Sequence, residues 1–287
     1  MIARLDFHLP RFRRWLWVSA EARAHWEPRL ASLAAGLETL ALEAVASKAG
    51  AARLVDPTPA EVSALRERAR AHGLVALRMP RREDLAPHVQ NPTLLTRADA
   101  DVPGSWHRGD LDAVLAALGL PPCCAAAWRR THVEARWRDG AWGTHGELQG
   151  EVEGPALLNR MLAPIGVHAC AHDPCGPRCE ASVDRARGRL DRAPAELAEH
   201  LEQVLDWPME WNALHGVVEL RTPVVKLSWD TDPCASAVVR RRPGRVMPEH
   251  AAVGQRFPYR DPNHHKLLHS VGWRRGLAHA EASGESP

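Results

Sequence analysis

At 287 residues with 45% hydrophobic side chains, the chain is long enough for one large domain or two ordinary ones, and it can bury a core without disulfide staples. The formal net charge of +2 is too small for a surface built around a polyanion, and the excess of 34 arginines over three lysines (Lys48, Lys226, Lys266) reads as codon bias, so no nucleic-acid partner is indicated. Between Met1 and Trp17 the apolar residues are interrupted by Arg4, Asp6, Arg11, Arg13 and Arg14, which argues against a signal peptide or spanning helix and leads to the expectation of a cytoplasmic protein with no membrane partner.

In chain order, Leu30, Leu33, Leu37 and Leu40 recur at helical steps and predict a core-facing helix. A second helix opens at Thr58-Pro59-Ala60-Glu61, where Thr58 caps, Pro59 suits the first helical position and Glu61 completes a capping box. Val62, Leu65 and Ala69 form its stripe and Gly73 closes it. Leu74 to Leu77 reads as a short strand ended by Pro80. Asp110 starts a helix carrying Leu111, Val114, Leu115 and Leu118, with Gly119 as its stop, and Pro121-Pro122 starts another running toward Trp137. A helical stretch over 156–161 is followed by Ile165 to Cys170 as a strand, then by helices over 180–190 and around Leu197, Leu201, Val204 and Leu205.

Two segments, 215–221 and 223–229, alternate with period two, so Val218, Leu220, Val225, Leu227 and Trp229 share one face and Glu219, Arg221, Lys226 and Ser228 the other. The fold class is α+β: a helix-rich N-terminal region (1–100), a cysteine-rich core (101–235) with a small mixed or antiparallel sheet and a metal loop, and an irregular basic tail (236–287).

The chemistry concentrates in His168-Ala-Cys170-Ala-His172-Asp-Pro-Cys175-Gly-Pro-Arg-Cys179, three thiols and two imidazoles within twelve residues, with Cys123-Cys124 upstream. In a reducing compartment such clusters point to metal or redox groups and not to structural disulfides. Cys123 and Cys124 fall in the first turn of a helix, where free N–H groups favour thiolates, but adjacent helical positions diverge by about 100°, so the two sulfurs are expected to take different roles. Cys170, Cys175 and Cys179, with Cys123 or Cys124, supply the ligands for an iron–sulfur cluster, or for iron if His168 or His172 replaces a thiolate. Zinc is the alternative with the same donors. Packing alone is the bland alternative for a buried cysteine.

Cys124 is also a candidate reactive thiol, His172 and Asp173 candidate proton-transfer groups, and Glu180 a supporting carboxylate. Lys226 could bind a substrate carboxylate or phosphate; the competing reading is a solvated sheet face. Trp207 and Trp211 suit core packing better than a pocket wall. His264-His265-x3-His269 and Cys234 are incidental by their context. The radical S-adenosylmethionine loop Cys-x3-Cys-x2-Cys is absent, and His132-Val-Glu134 with Cys175-x3-Cys179 misses the zinc-deaminase spacing by one residue.

Leu120-Pro-Pro-Cys123-Cys124 and His172-Asp-Pro-Cys175-Gly-Pro-Arg-Cys179 resemble a prokaryotic cysteine-rich family of unknown function marked by Pro-x-Cys-Cys and His-x-Pro-Cys-x3-Cys. The resemblance covers about residues 110 to 230 and implies no activity. The expectation is a metal-dependent protein, iron or iron–sulfur, performing redox or substrate-activating chemistry on a small molecule or peptide, with an electron-transfer partner if the iron is fully ligated. A zinc-stabilised protein-binding module and a metal-free thiol redox protein are the rivals.

Overall fold

The computed structural model describes residues 13–47, 52–55, 59–79, 93–134, 150–214, 217–230, 237–241 and 247–251. Its longest described element, α1 (Ala20–Ala46), begins where the Ser19 hydroxyl accepts the Ala22 amide at 3.0 Å, which satisfies one of the donors a helix start leaves open. Ala22, Trp26, Leu30, Leu33, Leu37, Ala41 and Val45 recur every three or four residues along it and are buried as one stripe.

That stripe spans two cores. From Ala22 to Leu37 it packs in the main core with the larger sheet, whereas Leu42 and Val45 join Leu65, Ala69, Leu74 and Leu95 of the smaller one. The smaller sheet has the order β2 (Ala52–Val55), β4 (Thr93–Arg97), β3 (Leu74–Arg78), all antiparallel. Helix α2 (Pro59–Ala71) buries Leu65 and Ala69 against it and ends at Gly73, whose φ of 69° is left-handed. The proposed cap at Thr58 lies outside the described residues. Short helices α3 (Val102–Arg108) and α4 (Leu111–Ala117) place Val102, Trp106, Leu111 and Val114 in a further cluster with Leu94, and Asp110 caps α4 by accepting the Ala113 amide.

The larger sheet runs β1 (Arg13–Trp17), β8 (Val225–Asp230), β7 (Val217–Arg221), β6 (Met209–Leu214), β9 (Ala237–Arg241), β5 (Gly150–Val152), antiparallel except for the β5–β9 pair. The chain is therefore α+β, with a mixed sheet beside an antiparallel one. Thr222 closes the β7–β8 hairpin: its hydroxyl accepts the Val224 and Val225 amides and donates to the Val225 carbonyl. Two helices complete the main core, α6 (Glu180–Leu190) and α7 (Ala195–Leu205). Helix α7 lies close to α1 at Gly36, where an added Cβ would stand 3.0 Å from Leu197, and Trp26 meets Trp207 edge-on at 4.7 Å.

Several expectations are corrected. The helix from Pro122 is α-helical only through Arg129 (α5) and continues as a π-helical turn over Arg130–Glu134. Residues 156–161 contain only a 3-10 turn, Ala156–Leu158, because buried Asn159 diverts the chain: its amide donates to the Leu205 carbonyl while its Oδ1 accepts the Met161 amide. The expected strand from Ile165 to Cys170 is a 3-10 turn, Ala163–Ile165, followed by bends. Part of the expected irregular tail is β9, an interior strand.

The period-two reading holds in the register Val218↔Trp229, Leu220↔Leu227, Glu219↔Ser228 and Arg221↔Lys226. Its polar face is not solvated, however, since Arg221, Lys226 and Ser228 are buried. Buried charges need partners. Glu219 pairs with Lys226 Nζ and accepts from Arg221 Nη2 at 3.0 Å, and Arg221 also faces Glu210 at 3.5 Å. Burial pushes the Glu219 carboxyl up, but Lys226 and Arg221 outweigh it and hold it below the ordinary value. A carboxylate so depressed stabilises the fold above its unfolded pKa and loses that contribution as the pH falls through the folded one. Glu219→Gln is expected to cost about 1–3 kcal/mol at pH 7 in urea unfolding and to lose less stability than wild type between pH 5 and pH 3.

Candidate metal centre

Two helix starts and the loop before one of them build the site. Gly119, at φ 73°, ends α4, and Leu120 and Pro121 lead into α5 with Pro122 at its first position. Cys123 and Cys124 follow in the first turn. Cys179 stands at the N-cap of α6, its carbonyl accepting the Ser182 and Val183 amides. Cys175 precedes it in the loop stiffened by Pro174 and Pro177.

These four thiols converge. Cys123 Sγ lies 3.9 Å from Cys124 Sγ, each lies 3.7 Å from Cys179 Sγ, and with Cys175 all four sulfurs fall within 4.8 Å of one another. They are close enough to hold a metal ion. The expected division of roles between Cys123 and Cys124 is corrected: both sulfurs belong to the group. Helical side chains lean toward the N-terminus, so two sulfurs in a first turn can meet beyond the helix end despite their angular separation.

A tetrahedral ion with metal–sulfur bonds of about 2.3 Å has sulfur–sulfur edges of about 3.8 Å. The three separations among Cys123, Cys124 and Cys179 match that edge. A cubane cluster binds each of its thiolates to a different iron around a body wider than a single ion, which would hold the sulfurs much farther apart.

Hydrogen bonds support the sulfurs. The Cys175 amide donates to Cys124 Sγ at 3.4 Å. The fully buried Ser182 hydroxyl reaches Cys179 Sγ at 3.3 Å, Cys124 Sγ at 3.2 Å and His172 Nε2 at 2.9 Å. Burial pushes the Cys124 thiol far up and, together with the Cys179 and Cys123 thiols, pushes Cys175 up to about 11. Burial also raises Cys179, but the Ser182 hydroxyl and amide and the neighbouring thiols outweigh it and bring Cys179 down to about 7. Cys179 thus ionises readily, whereas Cys124 and Cys175 need a cation to lose their protons.

The remaining predicted site residues lie around this group. Cys170 is buried in the main core with its sulfur 3.7 Å from His172 Nδ1, outside the four-sulfur group. His168 is buried too; burial, then Arg160, Arg189 and Arg53, hold its imidazole well below the ordinary pKa, and its Nδ1 has no hydrogen-bond partner among the described residues. Burial and Arg160 bring His172 down to about 4, so it is neutral at pH 7. Asp173 pairs with Arg160 at 3.0 Å, Glu180 is exposed, and Lys226 sits in the ion cluster of the larger sheet. His132 packs its ring against Trp128 at 4.6 Å. His215, Cys234, His264, His265 and His269 lie outside the described residues.

Sequence reasoning missed three residues. Ser182 follows Cys179 by three positions at a helix start, a spacing that brings its hydroxyl back to the N-cap side chain. Arg160 donates to the Cys170 carbonyl at 2.7 Å, and Arg189 donates to the Ala169 carbonyl at 3.2 Å and the Leu37 carbonyl at 2.6 Å. Nothing in their local sequence marks those two. Gly154 takes the loop from the other side, because a Cβ there would collide with the Pro177 carbonyl.

Family models, curated proteins and solved structures yield no match to this chain, so its chemistry is argued from the geometry. Ser182→Ala, which removes the hydroxyl from two sulfurs and an imidazole, is expected to weaken metal affinity about 10-fold or more in a competition titration with a chromophoric chelator while leaving the far-ultraviolet circular dichroism unchanged.

Proposed function

We propose that Cys123, Cys124, Cys175 and Cys179 bind one metal ion in a closed tetrathiolate site, and that the protein is a zinc-stabilised module in which the ion supplies folding energy. The observation that carries this reading is the spacing of the Cys123, Cys124 and Cys179 sulfurs, 3.7 to 3.9 Å, the edge of a tetrahedron around a single ion, with the Cys175 sulfur within 4.8 Å of each. Four thiolates fill the coordination of zinc. No position is left for a substrate or an activated water, which separates this arrangement from catalytic zinc sites with three protein ligands. The ion would tie the start of α5 to the loop before α6, with Cys124 and Cys175 51 positions apart in the chain. Recognition of a peptide or protein partner then falls to the surrounding surface.

The cluster form of the iron reading does not suit this spacing. A second reading, a single iron in the same four thiolates acting as an electron-transfer centre, is favoured by one observation: Cys123 is exposed while Cys124 is buried, so one ligand gives the centre an edge toward solvent and a partner. Hydrogen bonds from Ser182 and the Cys175 amide would tune its potential.

Anaerobic purification followed by metal and acid-labile sulfide analysis tests both. About one zinc per chain in a colourless protein supports the structural reading; one iron without sulfide supports the second; iron with stoichiometric sulfide, or no metal at all, overturns both. Cys175→Ser is expected to lower metal content to below about a tenth of wild type and to depress Tm by about 10 °C or more, and a strong chelator should bring wild type to the same Tm.

A further inference from the structure

A second group of ligand-type side chains lies away from the thiols. His25 on α1, Glu249 and His250 present ligand atoms within 4.8 Å of one another. His25 Nε2 stands 3.5 Å from Glu249 Oε2, and the two imidazole rings are 5.0 Å apart. Residues 225 positions apart in the chain meet here because the 247–251 turn is anchored at three points. The Trp26 indole donates to the Glu249 carbonyl at 2.7 Å, Pro248 is buried, and Ala251 packs on the main core while its amide bonds the Pro248 carbonyl.

Within this turn His250 has a φ of 58°, a left-handed conformation that a non-glycine residue rarely adopts. That backbone turns the ring toward His25. The His25 side chain is only 18% exposed, set between Glu249 and the His250 ring. Nitrogen and oxygen ligands at about 2.0–2.2 Å from a tetrahedral ion stand about 3.4 Å apart, close to the observed pair.

We propose that His25, Glu249 and His250 form a second metal site, for a divalent ion of the zinc class, that clamps the 247–251 turn onto the start of α1. Two imidazoles and one carboxylate suit zinc and its later transition-metal neighbours; calcium and magnesium demand oxygen ligands. Three protein ligands leave the remaining coordination to water. Glu249 and His250 are exposed, so this ion exchanges with solvent.

Isothermal titration of ZnCl2 into the full chain, prepared with the thiolate centre already loaded, tests the proposal. Wild type is expected to take one further equivalent, weakened about 10-fold or more by each of His250→Gly, Glu249→Gln and His25→Ala. His250→Gly removes the imidazole while suiting the left-handed backbone, so its effect is not a loss of fold. Combined His264→Ala, His265→Ala and His269→Ala should leave the equivalent in place. Absence of binding beyond the thiolate metal, binding unchanged in His250→Gly, or binding lost in the triple variant would overturn the site. Because the readout is the difference between wild type and His250→Gly, it is separate from the fate of the tetrathiolate reading.

Discussion

Four thiols held within 4.8 Å of one another form the constraint on which the middle of the molecule depends. Protonated, they form a crowded and poorly bonded pocket; ionised together without a cation, they would repel one another at close contact. An ion resolves both conditions. It would make the start of α5 and the start of α6 parts of one unit. The loop carrying Cys175 forms no regular element from Val167 to Cys179 and is otherwise held by its prolines and by bonds from Arg160 and Arg189 to its Cys170 and Ala169 carbonyls.

Charge around the loop points the same way. Arg160 and Arg189 donate to the consecutive carbonyls of Cys170 and Ala169, and they sit near Arg53 with few acids to balance them. Burial, then Arg53 and Arg160, brings the Arg189 guanidinium down to about 10. A divalent ion in four thiolates carries a net double negative charge. Such a centre would be offset by the two helix starts that carry its thiols. His168 and His172, both held neutral, add no charge to either side.

The sequence made much of this readable, and the physical reason differs by element. Helices α1, α2, α4, α6 and α7 carry stripes or caps written within a few residues, and the β7–β8 hairpin repeats with period two. Asn159 turned an expected helix into a 3-10 turn through a bond to Leu205, 46 residues away, which no local pattern encodes. The polar face of β7 and β8 looked solvated for the same reason: alternation identifies two faces without saying what covers them. At the site, the dense cysteines announced a metal, but the choice among them depends on packing. Cys170 went to the core, and adjacent Cys123 and Cys124 both entered the group because their helix starts there.

The four sulfurs are equivalent as ligands and unequal in their surroundings, and that inequality follows from where the chain places them. Cys124 faces the core at Ser182 and the Cys175 amide, so its sulfur is fixed by two partners before any ion arrives. Cys179 is the acidic member because it caps α6 and receives the Ser182 hydroxyl. Cys123, one residue from Cys124 but on the outer side of α5, is exposed and bonded only to its fellow thiols among the described residues. On the proposed reading, an incoming ion would find a fixed anchor in Cys124 and a ready thiolate in Cys179, and Cys123 would close the tetrahedron from the solvent side. The order that favours capture also makes Cys123 the ligand that solvent, oxidants and competing chelators reach first.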